Sequence, residues 1–158
     1  MPLRRPASSE DLKVLEALLS YQFGDEAAKA LTSIPLEVEI RRGKIRYVYE
    51  SGTGKRLLTL RPSDFMFTIS LRAGEIIRQV TPRPRMRVIV KEFREGEVRG
   101  IDVISADPQI RPGDEVLVVD RNDELLAVGK ARAPGPVMGA LGEQEVVRVR
   151  EVRRVGES

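Results

Sequence analysis

The chain has 158 residues, 41% hydrophobic and 32% charged, which suits one medium domain or two small ones with a packed core. It contains neither cysteine nor histidine, so disulfides, thiolate nucleophiles, Cys-ligated metals and imidazole bases are excluded. The net charge of +3 sets 27 basic residues, mostly arginine, against 24 acidic ones, and no apolar run reaches the roughly 18 residues of a membrane span.

The first ten residues, MPLRRPASSE, carry two arginines with no apolar stretch behind them, so neither a signal peptide nor a membrane location is expected and the setting is cytoplasmic. Ser8 and Asp11 form a capping-box pattern. Leu12, Leu15, Leu19 and Phe23 then recur at helical spacing, with Gly24 as C-cap. A second short helix is predicted from Asp25 to Leu31. The period then changes to two: residues 37–41 and 44–49 alternate about an Arg42-Gly43 turn and predict a hairpin. Ser51–Gly54 is a further turn leading to Leu58 and Leu60. Phe65, Phe67, Ile69 and Leu71 alternate with polar or smaller residues as a strand, and residues 73–80 form a helix burying Ile76, Ile77 and Val80.

Thr81-Pro82-Arg83-Pro84-Arg85 is the natural boundary, because two prolines in three residues end a helix and push their predecessors to extended geometry. Beyond it, short strands are predicted at 88–90, 98–104, 115–120, 125–131 and 146–152, with Asp120–Asp123 as a hairpin turn. Regular short strands of this kind predict a small β-barrel. Charge is uneven: residues 81–99 carry six basic and three acidic groups, residues 100–127 two and seven. That pattern suits a module with a basic face and an acidic edge. Abundant charge with a single asparagine also fits a thermophilic composition.

One stretch carries a resemblance. Asp107, Ile110, Gly113-Asp114 and Val116 precede a strand and a hairpin turn, and Ala127-Val128-Gly129 with Ala131 follows. This run resembles the PUA domain, with Gly113 suited to positive φ and Gly129 to a bulge or close approach. Upstream, Ser20–Gly24, Arg46 and Leu58–Asp64 look like the segment preceding the PUA domain in archaeal tRNA-guanine transglycosylases, so the resemblance runs from about Asp11 to Arg154. Residues 96–102 depart from it in lacking bulkier apolar or aromatic side chains. A catalytic barrel of about 250 residues does not fit in 158. The resemblance therefore implies the tRNA-gripping part of that family and binding without chemistry.

The expected fold is α+β: a small α-β sandwich over residues 1–80, then a PUA-like β-barrel over residues 84–155. The candidate RNA surface is the basic run Arg83, Arg85, Arg87, Lys91, Arg94 and Arg99, with Arg85 and Arg87 tracking phosphates from one strand face. Lys130 and Arg132 follow the Ala-Val-Gly motif, near which the resemblance places the RNA groove. Arg148, Arg150, Arg153 and Arg154 form a solvent face. Arg61 is set either to pair with Asp64 or to touch tRNA, and Tyr47 and Tyr49 are set to pack in the core or to stack on bases. Gly52-Thr53-Gly54-Lys55 is no phosphate loop, since Tyr49 stands where a glycine is needed and Arg56 replaces the Ser/Thr. The acidic cluster Asp114, Asp120, Asp123 and Glu124 lacks calcium-loop spacing and serves turns. No metal, cofactor or catalytic set is expected. The expected function is binding of structured RNA, foremost tRNA. The alternative is a protein-interaction subunit that docks on a separate tRNA-modifying protein, marked by an apolar patch at Tyr21, Phe23 and Leu31.

Overall fold

The computed structural model describes residues 3–94 and 96–154 and divides into two units, Met1–Thr81 and Pro82–Ser158, each with its own sheet. The expected barrel end, Val155, lies outside the described residues.

In the first unit, β1 (Leu3–Pro6), β2 (Leu36–Arg41), β3 (Lys44–Glu50), β4 (Arg56–Leu60) and β5 (Phe67–Ile69) form an antiparallel meander in chain order. Helices α1 (Ser9–Phe23) and α2 (Asp25–Thr32) lie between β1 and β2, and α3 (Leu71–Val80) follows β5. The capping box closes as expected: the Ser8 hydroxyl accepts from the Asp11 N–H, and the Asp11 carboxylate accepts from the Ser8 N–H. Arg5 also donates to Asp11. This hydrogen bond holds the Asp11 carboxyl below its ordinary range; burial opposes the effect and the Ser8 donors reinforce it. Val38, Val48, Leu58 and Ile69 sit opposite one another in a buried row across four strands. Buried Leu15, Leu19, Phe23, Ala27, Leu31 and Ile77 supply the helical part of the core.

One strand is added to the expected elements of this unit and two expectations are corrected. Strand β1 is present, although Leu3-Arg4-Arg5-Pro6 has no strand periodicity; pairing with β2 and the Arg4–Glu37 ion pair (2.8 Å) hold it. The strand expected from Phe65 to Leu71 shrinks to Phe67–Ile69. The 61–65 turn, in which the Phe65 N–H donates to the Arg61 carbonyl, takes one end, and the Ser70 cap of α3 takes the other. Val80 is exposed, whereas Ile76 and Ile77 are buried as expected.

In the second unit, β6 (Arg87–Val90), β7 (Val98–Arg99), β8 (Val103–Ala106), β9 (Glu115–Val119), β10 (Leu125–Ala131) and β11 (Glu145–Val152) form one sheet in the order β7-β11-β10-β9-β6-β8. Only the β6–β9 pair among these is parallel. Val88, Val116, Val118, Ala127, Val146 and Val147 contribute to a core rich in β-branched side chains. The strand expected over residues 98–104 is broken by a 3-10 turn at Gly100–Asp102. A Cβ at Gly100 would lie 2.7 Å from the Met138 carbonyl oxygen, which is why no larger residue stands there. Gly113 has φ +94°, and Gly129 sits at a β-bulge with no room for a Cβ, which would come 2.3 Å from the Arg148 carbonyl oxygen. Both glycines thus play the parts expected of them.

Candidate nucleic-acid interface

Strand pairing builds a cationic row on the barrel. Lys130 of β10 stands opposite Glu115 of β9 and Arg148 of β11, so the three side chains share one face. Glu115 is buried and accepts from Arg150 at both carboxylate oxygens, from Nη1 at 3.2 Å and from Nη2. The one negative charge in the row is thereby matched by a third cation. Arg132 lies two residues past Lys130, is exposed, and is fixed through its backbone N–H to the Val146 carbonyl (2.8 Å). Lys130, Arg132 and Arg148 form no ion pair among the described residues. The close approach at Gly129 holds β10 and β11 together beside them.

The basic run 83–99 divides. Arg87 is corrected: it is 1% exposed, and Nε and Nη2 each donate to Asp123 at 3.1 Å while Nη1 donates to the Arg85 carbonyl at 3.0 Å. It is turned inward and tracks no phosphates, so it does not share a strand face with Arg85, which precedes β6. Arg83 lies 3.8 Å from Asp123. Arg94 pairs with Glu92 at 2.7 Å, and the hydrogen bond holds the Glu92 carboxyl below its usual range. Arg99 pairs with Glu143 and lies 3.8 Å from Asp102. Arg85 and Lys91 are exposed and without an acidic partner among the described residues. Arg61, in the other unit, pairs with Asp64 at 3.1–3.2 Å. That contact and the Met66 N–H hold the Asp64 carboxyl down. Of the nine expected site residues, Arg85, Lys91, Lys130 and Arg132 present unpaired charge, and Lys130 is brought together with Arg148, which was expected only as solvent face.

The acidic residues serve the loops. Asp120 accepts from the Asn122 and Glu124 N–H groups (2.8 and 3.0 Å), and Asp114 from that of Arg111 (2.9 Å). Buried Asp107 accepts from the N–H groups of Met86 and Gln109 (2.8 and 2.9 Å). No group of three or more His, Cys, Asp or Glu suited to a metal ion occurs among the described residues. The apolar patch expected at Tyr21, Phe23 and Leu31 does not form, since Phe23 and Leu31 are buried and only Tyr21 is exposed.

Tyr47 and Tyr49 are not core residues. They lie half-buried on the outer face of the first unit's sheet, ring centroids 6.5 Å apart, under arginines. Arg4 covers Tyr49 at 3.7 Å, and Arg41, Arg46 and Arg56 surround Tyr47 at 5.1, 5.6 and 4.8 Å. The Arg46 hydrogen bond, with the charges of Arg41 and Arg56, lowers the Tyr47 phenol pKa against burial. Burial and the Glu39 contact (2.9 Å) raise that of Tyr49. The two-residue alternation at 47 and 49 was visible in sequence; the converging arginines, drawn from four strands, were not.

Comparison with known proteins follows this division of the chain. Residues 13–84 match the family model for the patch-forming domain C2 of tRNA-guanine transglycosylase, and residues 102–153 match that of the PUA domain. The tRNA-guanine(15) transglycosylase of Thermococcus kodakarensis is 36% identical over 154 residues, 94% of this chain and 26% of that protein. Its counterpart in Pyrococcus abyssi is 38% identical with the same coverage. The chain thus spans about a quarter of the length of these archaeal relatives. The structure of a conserved PUA domain protein from Thermoplasma acidophilum matches at a TM-score of 0.65 and 20% identity, over 98% of this chain and 95% of that one. The likeness is one of fold, and it bears out the expected α+β architecture with its barrel. No helix among the described residues is long and apolar enough to cross a membrane.

Proposed function

Because this chain carries a PUA domain and resembles the C-terminal region of archaeal tRNA-guanine transglycosylases, we propose that it binds structured RNA, tRNA foremost, without catalysing a reaction. The observation that carries this reading is the cross-strand pair Lys130 and Arg148, with exposed Arg132 two residues on, three cations with no acidic partner among the described residues. Such a row offers positive charge to the phosphates of an RNA backbone, and each contact releases condensed counterions. Arg85 and Lys91 extend the basic surface of the same unit. Residues 1–80 act beside it as the domain that precedes the PUA barrel, and the setting is the cytoplasmic tRNA pool.

Filter binding of total tRNA at two salt concentrations tests this: affinity falls steeply as salt rises, and absence of binding even at low salt sinks the reading. A second reading has the chain deliver RNA to a separate tRNA-modifying protein. It is supported by the 36% identity to the tRNA-guanine(15) transglycosylase of Thermococcus kodakarensis, and capture of such a protein from the native host by the tagged chain is its test.

A further inference from the structure

We infer that the outer face of the first unit's sheet is a second RNA-binding surface, which takes an unpaired nucleotide by stacking its base on Tyr47. The face is built from the cross-strand row Arg4, Glu39, Tyr47, Thr59 and Thr68. A solvated sheet face usually alternates charges of both signs, but here the balance is one-sided. Residues 36–60 carry six basic and three acidic groups, a net +3 equal to that of the whole chain.

The acidic groups are also committed. Glu37 holds Arg4 (2.8 Å), Glu39 holds Arg41 (2.8 Å) and the Tyr49 hydroxyl (2.9 Å), and Glu50 holds Arg72 of α3 (3.2 Å). Arg46 donates to the Tyr47 hydroxyl and, at a long 3.4 Å, to the Leu60 carbonyl, and neither Arg46 nor Arg56 has an acidic partner among the described residues. Arg42 and Lys44 are exposed at the β2–β3 turn.

The two tyrosines are not equivalent. Tyr49 is engaged on its ring by Arg4 at 3.7 Å and on its hydroxyl by Glu39. Three guanidinium groups lie over Tyr47 at 4.8–5.6 Å from its centroid, farther than the 3.7 Å at which Arg4 covers Tyr49. A loosely covered ring flanked by two cations without carboxylate partners, Arg46 and Arg56, is what a single-stranded polynucleotide needs: a platform for one base and positive charge for the flanking phosphates. An A-form helix buries its base faces and has no use for such a platform. The inference extends the RNA-binding reading to a different surface and a different RNA conformation, so the two can fail separately.

The test is fluorescence anisotropy with the full chain and a labelled, non-self-complementary RNA of about ten nucleotides, a length within the span of single-strand sites. Tyr47→Ala is expected to weaken binding about tenfold and Tyr47→Phe to restore it to within about twofold, since stacking needs the ring and not the hydroxyl. Arg46→Ala and Arg56→Ala each lower the slope of log affinity against log salt by about 0.7. If Tyr47→Ala binds the oligonucleotide like wild type while substitution of Lys130, Arg132 and Arg148 abolishes its binding, this surface is overturned and the barrel reading stands. If Tyr47 instead governs binding of polyglutamate and the RNA does not bind, the face is a protein-docking surface and the inference fails. If wild type binds neither the oligonucleotide nor tRNA, both readings fall.

Discussion

Gln22 and Phe67, 45 residues apart, exchange two hydrogen bonds: the Gln22 carboxamide donates to the Phe67 carbonyl at 3.0 Å and accepts from its N–H at 2.7 Å. The side chain of a helical residue thus does for β5, the last strand of the sheet, what a neighbouring strand would otherwise do. Gln22→Leu leaves both groups of a part-buried peptide without a partner, at a cost of about 2 kcal/mol. Gln22→Glu keeps the acceptor and loses the donor, so it falls between the two. Urea unfolding of the three proteins checks the order.

The Arg87–Asp123 pair predicts a stability defect without a binding defect. Asp123→Ala strands a guanidinium that is 1% exposed and costs about 3 kcal/mol. Arg87→Lys is destabilising as well, because an ammonium cannot meet both Asp123 oxygens and the Arg85 carbonyl at once. Thermal unfolding reads the loss. RNA affinity of the folded fraction is unchanged in Arg87→Lys, and a large fall in it would return Arg87 to the binding surface.

Asp11 gives a pH signature. Its carboxyl titrates lower in the folded chain than in the unfolded one, chiefly through Arg5, so the folded state binds fewer protons. The stabilisation is complete above the unfolded value of about 3.9 and is lost as pH falls from there through the folded value. Asp11→Asn is therefore less stable than wild type by about 1 kcal/mol at pH 7, the scale of a helix cap. The two stability curves converge on acidification, and parallel curves would contradict the Arg5–Asp11 contact.

The barrel row is tested by charge removal. Lys130→Ala, Arg132→Ala and Arg148→Ala each reduce the salt slope of tRNA binding by about 0.9 if the contact is to a helical backbone. The triple variant loses most of the salt dependence that this unit contributes. Arg94→Ala, whose charge is already paired with Glu92, changes the slope little.

What was legible in the sequence follows from range. The capping box of Ser8 and Asp11, the Arg42-Gly43 turn and the special roles of Gly113 and Gly129 are local requirements, and residues a few positions apart announce them. The inward turn of Arg87 depends on Asp123, 36 residues on, and an arginine next to a valine run looks the same whether it faces water or a buried carboxylate. Strand β1 exists because β2 is there to receive it. The surround of Tyr47 assembles from Arg41, Arg46 and Arg56 on three strands, and nothing in the stretch around any one of them announces the other two. Arg148 was set aside as solvent face because its meaning comes from Lys130 across the ladder.

The position of β11 bears on how the second unit is completed. It is the last strand among the described residues, yet it lies between β7 and β10 and is the only described strand that pairs with β7. Until residues 145–152 are in place, β7 has no ladder to join and β10 keeps an open edge. Closure therefore waits on the longest-range pairings, which are the slowest to find. During synthesis the cationic row is likewise incomplete, because Arg148 arrives with the strand that seals the sheet. Folding and assembly of the binding face are thus a single, late event, and a nascent chain stalled short of β11 presents neither.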